Sequence, residues 1–253
     1  MTQFLEQIML LAIAVVSNAL SAMAGGGAGL LQLPALIFLG LPFPIALTTH
    51  KIATVALGAG ASFKHWRAGN IEWQPALLML SVGIPAVILG ANTILNIPAN
   101  IAQTALGVLT IALGVYSIFK KALGYEAKRK NRDLNGLAIG AAGLFICGFL
   151  NGSLTSGTGL FVTIWLIVWF GFDFKRATAY TMIIVGLFWN GTGAITLALL
   201  SPAQWTWLPA LVVGSLLGGY IGAHVGIKYG NLLIKRVFEI ITILVGIALI
   251  LKT

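Results

Sequence analysis

Apolar residues run along this chain in long blocks separated by short polar or glycine-rich breaks, with no sustained period-2 alternation. The blocks cover about 4–24, 28–41, 43–64, 74–95, 99–119, 134–152, 156–171, 176–200, 206–227 and 231–251. A helix that crosses a bilayer needs ~20 apolar residues, and most of these blocks approach that length. The second block of each half, near Leu30–Leu39 and Leu160–Trp169, is too short. The pattern predicts an all-α polytopic membrane protein in which these two short segments either cross or dip in as re-entrant hairpins. The first and second blocks are separated by Met23-Ala-Gly-Gly-Gly-Ala-Gly29. Glycine costs about 1 kcal/mol per residue against alanine inside a helix, so this run breaks one helix and bares N–H groups at the start of the next.

The second half repeats the first at an offset near 131 residues. Gly27-Ala-Gly-Leu30 matches Gly157-Thr-Gly-Leu160, Ala46-Leu-Thr48 matches Ala177-Thr-Ala179, and Gly60 matches Gly191. Trp73-Gln-Pro-Ala-Leu77 matches Trp207-Leu-Pro-Ala-Leu211, and Asn100 matches Asn231. Their common order divides the chain into a repeat at 1–121, a basic linker at 122–133 and a second repeat at 134–253.

Charge sets the orientation. The basic loops hold Lys64 and Arg67; Lys120, Lys121, Lys128, Arg129, Lys130 and Arg132; Lys175 and Arg176; Lys228, Lys235 and Arg236. If every block crosses, or the short pairs re-enter, all four loops fall on one side. If each short block fuses with its predecessor, the last two loops move to the other side. The positive-inside rule favours the first arrangement, with both termini outside the cytoplasm. Each half then has an odd number of segments, and the two are oppositely oriented, as in inverted-repeat transporters. Trp66 and Trp73 inside, and Trp205 and Trp207 outside, fit as interfacial anchors.

Composition agrees with the membrane reading. The chain has 253 residues, 58% of them hydrophobic and 8% charged, with a mean hydropathy of +0.98. A soluble domain carries roughly 25% charged residues. The net charge of +9 sits in interfacial loops, which argues against a nucleic-acid partner. Cys147 is alone, so no intramolecular disulfide or Cys-rich metal site is expected. Ala22-Met23-Ala24 imitates a signal-peptide cleavage site, but Glu6 and no Lys or Arg precede it, and the expectation is that it is not cleaved.

Candidate chemistry concentrates at the breaks. Gly25–Gly29 has its counterpart in Asn151-Gly-Ser-Leu-Thr-Ser-Gly-Thr-Gly159, where Ser153, Thr155, Ser156 and Thr158 replace glycines. Two half-helix N-termini meeting inside the membrane would favour an anion; close packing of small residues is the alternative. Lys51, within Thr48-Thr-His-Lys-Ile-Ala-Thr54, either faces a wet cavity or snorkels to the surface. His50 either couples protons or packs neutral. Asn18, Asn151, Asn190 and Gln32 divide between substrate contact and interhelical bonding. Glu239 fits an intrahelical pair with Lys235 or Arg236. His224 reads as structural. No Ser–His–Asp set, HExxH or paired intramembrane carboxylate is present in the sequence, so an enzyme, a catalytic residue, a metal and a cofactor are not expected.

At Ala24-Gly-Gly-Gly-Ala-Gly-Leu-Leu-Gln-Leu-Pro34, Ala46-Leu-Thr-Thr-His-Lys51 and Gly171-Phe-Asp-Phe-Lys-Arg-Ala-Thr-Ala179 the chain resembles the TauE/SafE family of sulfite exporters. The layout covers essentially the whole chain. The resemblance implies transport of a small anion more firmly than sulfite itself. The expected function is export of sulfite or a sulfonate across the cell membrane by alternating access around a midplane site, the alternatives being another small organic or inorganic anion or a non-transport membrane assembly protein. Two departures accompany it: the second break lacks a glycine-dense, proline-bearing form, and Met182 stands where some relatives carry a second lysine. The expected substrate-binding set is Gly25, Gly26, Gly27, Gly29, Thr48, Thr49, Lys51, Thr155, Ser156, Gly157 and Thr158. His50, Asn18, Asn151 and Asn190 are candidates for coupling or gating. The expected partners are the anion and the lipid bilayer; oligomeric state is left open, a homodimer included.

Overall fold

The computed structural model describes residues 2–67, 71–93, 98–119, 123–154 and 157–251. Thr155 and Ser156 of the second break, with Lys120 and Lys121 of the second basic loop, lie outside them. Every regular element among the described residues is helical: α1 (Thr2–Ala24), α2 (Ala28–Phe38), α3 (Phe43–Arg67), α4 (Trp73–Thr93), α5 (Ala99–Phe119), α6 (Leu134–Ser153), α7 (Thr158–Val168), α8 (Phe174–Tyr180), a π-helix (Thr181–Trp189), α9 (Asn190–Leu200) and α10 (Leu208–Leu251). Among the described residues, four stretches are long and apolar enough to cross a membrane: Gln3–Ala24, Trp73–Thr93, Leu134–Ser153 and Phe174–Leu200. The last runs α8, the π-helix and α9 together as one span. The 44 residues of α10 break at Gly230, where φ 76 and ψ −166 separate two arms.

Small residues let these helices approach closely, as is common where no water drives association. Gly214, Gly218 and Gly222 of α10 sit at four-residue intervals against the backbone and small side chains of Leu11, Ala14, Val15, Ala19 and Ala22 on α1. Gly90 of α4 and Gly152 of α6 make the corresponding contact between those two helices, against Phe149 and Val87. The second arm of α10 packs on α5 through Gly114, Thr242, Gly246 and Ile111. α3 lies against the π-helix, Gly58 against Gly186. So the first, third, fourth and fifth segments of one half each pack on a segment of the other.

The basic loops gather at one end. Arg129 and Arg176 both bond Glu72, at 2.9 and 3.3 Å. Asn231 accepts from the Lys175 backbone N–H and donates to the Tyr125 carbonyl, and Lys128 N–H donates to Gly171 O. The opposite end holds the start of α1 and the loop before α10: the Gln7 amide donates to Thr206 O, and Thr49 Oγ1 accepts from Gln204 N–H.

The π-helix is absent from the sequence reading. Its residues Thr181–Trp189 are apolar on all sides and mostly buried, so neither a 3.6-residue nor a wider period shows in the pattern.

Candidate functional site: the junction of two broken helices

α2 and α7 have 11 residues each, about 16 Å at 1.5 Å per residue, roughly half the hydrocarbon thickness. Both start at a glycine in the left-handed region, Gly27 at φ 105 and Gly157 at φ 74, and neither N-cap has a side chain to offer the first-turn N–H groups. Their N-termini meet. A Cβ on Gly26, itself at φ +141, would lie 2.5 Å from the Gly159 carbonyl carbon and 2.6 Å from the Leu160 nitrogen. From this contact α2 runs toward the end with Trp207 and Leu208, which pack near its Leu33 and Leu36. α7 runs toward the basic end, where Asn131 donates to Trp169 O at 2.8 Å. The two positive dipole ends therefore converge on one point.

A cavity of about 30 Å³, room for roughly two waters counted by their centres, lies at this point. Gly26, Gly27, Ala28 and Gly29 line it from the first break, and Thr158 and Gly159 from the second. Ser21, His50, Thr54, Asn151, Thr181 and Asn190 add polar side chains, and Leu57, Met182, Val185 and Gly186 complete a wall that is more apolar than polar. Ser21 and Asn151, Ala28 and Thr158, Gly29 and Gly159, His50 and Thr181, and Thr54 and Val185 are pairs 130 or 131 positions apart, so corresponding places in both halves face one space. The polar side chains among them are hydroxyls, amides and one imidazole, and no carboxylate is among the lining residues. Ser21 Oγ and His50 Nδ1 are buried without a hydrogen-bond partner.

Lys51 is fully buried, so it does not snorkel. Its ammonium donates to Asn151 O at 2.7 Å and Asn151 Oδ1 at 2.9 Å. Asn151 O is one of the last four carbonyls of α6, which side chains from other segments often satisfy. Held this way, Asn151 turns its amide nitrogen to Thr158 Oγ1 at 3.0 Å and Asn190 Oδ1 at 3.3 Å. Lys51 thus stands behind Asn151, one layer back from the cavity. No carboxylate among the described residues pairs with it.

Several expected site residues are placed elsewhere. Thr48 and Thr49 turn their hydroxyls back to Pro44 O and Ile45 O on their own helix, so they are not in the cavity wall. Gly25 is not in the cavity wall, and its carbonyl accepts from Thr163 Oγ1 at 2.7 Å. Asn18 bonds Gln32, Ser215 and Ala14 O, an interhelical clasp between α1, α2 and α10. Glu239 pairs with Lys235 at 3.4 Å. Ser21, Thr54 and Thr181 are lining residues the sequence reading missed. The repeat carries the signal for two of them: Ser21 is the mate of Asn151, and Thr181 of His50.

The sulfite exporter TauE/SafE family model matches residues 10–249. A probable membrane transporter protein of Haemophilus influenzae is 31% identical over 239 residues, covering 92% of this chain and 90% of the relative. A Sinorhizobium protein, probable membrane transporter protein ORF9, is 26% identical, with 94% and 88% covered. The Escherichia coli K12 probable membrane transporter protein YfcA is 24% identical, with 91% and 84% covered. No solved structure matches the chain. With the family match spanning nearly its whole length, this multi-pass helical chain belongs to the TauE/SafE family of membrane transporters.

Proposed function

We propose that the protein exports a small, singly charged sulfur oxyanion, such as sulfite in its hydrogensulfite form or a sulfonate, across the cell membrane by alternating access around the central cavity. One observation carries the reading: a buried ammonium without a carboxylate partner stands beside two converging half-helix N-termini. An ammonium without a counter-ion in a membrane costs at least a few kcal/mol even when hydrogen-bonded, and an anion bound nearby offsets it. The 30 Å³ cavity favours a ligand of a few heavy atoms. Met182 in its wall, in place of a second cation, favours single charge.

The chain's two inverted halves account for the paired cavity residues and for the opposite directions of α2 and α7. The basic end lies in the cytoplasm on the positive-inside rule. α1 begins, and the second arm of α10 finishes, toward the other end, so both termini are extracytoplasmic. Export of a mononegative anion from a cell with a negative interior is electrically downhill by about 2.3 kcal/mol per 100 mV. No carboxylate relay is required.

The test is flux in proteoliposomes with sulfite, sulfate, thiosulfate and small sulfonates, comparing wild type with Lys51→Met. Loss of at least 100-fold in flux with folding retained is the expected result. Wild-type flux in the variant removes the role of Lys51; no flux of any anion by the wild type overturns the transport reading.

A further inference from the structure

Among the described residues, six of the eight buried polar side-chain atoms without partners lie at the central cavity or between it and the basic end, the other two being Asn18 Oδ1 and Gln32 Nε2. Ser21 Oγ and His50 Nδ1 are at the central cavity, while Ser62 Oγ, both ring nitrogens of His65 and Thr178 Oγ1 lie on segments leading from it toward the basic end. His65 and Thr178 are each 1% exposed. Buried polar atoms are nearly always paired, and each one left over costs about 1–3 kcal/mol. Three such residues on neighbouring segments call for a reason.

Their positions supply one. His50, Thr54 and Leu57 line the cavity, and Ala61 and His65 continue the same face of α3 at helical spacing. His65 lies about 12 Å beyond Leu57 along the axis. On the facing span Thr181 and Met182 line the cavity; Thr178 is one turn nearer the basic end, and Lys175 one turn nearer again. Thr178 Oγ1 faces the first break, since a Cβ on Gly25 would sit 3.0 Å from it. His65 is within electrostatic reach of Lys175, and α8 packs on both α1 and α3.

We propose that the seam between α3 and α8 is the route by which the anion reaches the central cavity from the basic end, with His65, Ser62 and Thr178 forming a transient oxyanion site along it. Imidazole N–H and hydroxyl donors near the Lys175 ammonium suit that ligand class. The seam is closed here. When α8 moves away from α3, the three side chains exchange empty surroundings for water and the passing anion. This inference rests on the transport reading and adds the path.

The experiment uses the full chain with its one cysteine removed, Cys147→Ala, carrying His65→Cys or Thr178→Cys in proteoliposomes of known orientation. An impermeant thiol reagent is applied from each side, with methanesulfonate as the probe anion. Both positions should label from the basic side at least tenfold faster than from the other. Equal labelling from both sides, or none at either position, overturns the route. In parallel, His65→Leu should lower methanesulfonate flux about tenfold and His65→Asn, which keeps a donor, should retain at least half. Wild-type flux in His65→Leu overturns the His65 role. These failures leave wild-type flux intact, whereas failure of the transport reading abolishes it in every sample.

Discussion

Gly26→Ala tests the contact on which the central site depends. The methyl group would meet the Gly159 carbonyl carbon at 2.5 Å and its Cα at 2.6 Å, both backbone atoms that cannot swing aside. Overpacking of this kind costs roughly 1–3 kcal/mol. The backbone at φ +141 adds strain for any residue with a Cβ, again about 1–3 kcal/mol. The sum, about 2–6 kcal/mol, is a large part of a typical folding free energy of about 5–15 kcal/mol. Two controls separate the terms. Gly40 also has positive φ, at +101, but nothing within 4 Å, so Gly40→Ala carries the strain alone. Gly191 is helical with nothing within 4 Å, so Gly191→Ala is neutral or gains up to ~1 kcal/mol of helix propensity. Thermal unfolding in detergent, followed by tryptophan fluorescence, should rank them Gly26→Ala lowest, Gly40→Ala next and Gly191→Ala at or above wild type. The fall for Gly26→Ala should be roughly 5–20 °C, with anion flux lost because the half-helix ends are pushed apart. A Gly26→Ala protein that melts and transports like Gly191→Ala would refute the close meeting of the two breaks.

Two further outcomes are expected. Thr163→Val leaves Gly25 O without its 2.7 Å donor and removes the contact with Thr181 at 2.9 Å; a loss of about 1–3 kcal/mol in stability is expected, read by the same melting assay. Met182→Lys adds a cation to the cavity wall and should shift preference from mononegative toward dinegative anions, measured as the ratio of sulfate to methanesulfonate flux; an unchanged ratio would show that this position does not face the substrate.

The helical class, the breaks at Gly25–Gly29 and at Gly157, the short α2 and α7, and the collection of basic loops all follow from local features: apolar block length, glycine's helix penalty and like-signed loops. The repeat adds a long-range clue, because Gly29 and Gly159, or His50 and Thr181, occupy matching places before any coordinates exist. The Lys235–Glu239 pair was legible too, since four-residue spacing on one helix brings its members together whatever the tertiary fold.

Side-chain direction was not legible, and it governs the site. Thr48, Thr49 and Lys51 are within four residues of one another on α3. Yet the two threonines satisfy their hydroxyls on the preceding turn, while the lysine reaches across to α6 and holds Asn151. Which partner each side chain finds depends on which helix lies opposite, and spacing along one strand of sequence does not contain that. The π-helix is hidden for the related reason that an all-apolar run has no periodicity to widen. The sequence by itself determined that this chain is helical, is built to cross a membrane and carries two glycine-marked helix breaks, because glycine content and hydropathy act locally. Only the tertiary structure decided that the two breaks touch and that the buried cation stands behind Asn151, because both depend on helix packing between residues about a hundred or more positions apart.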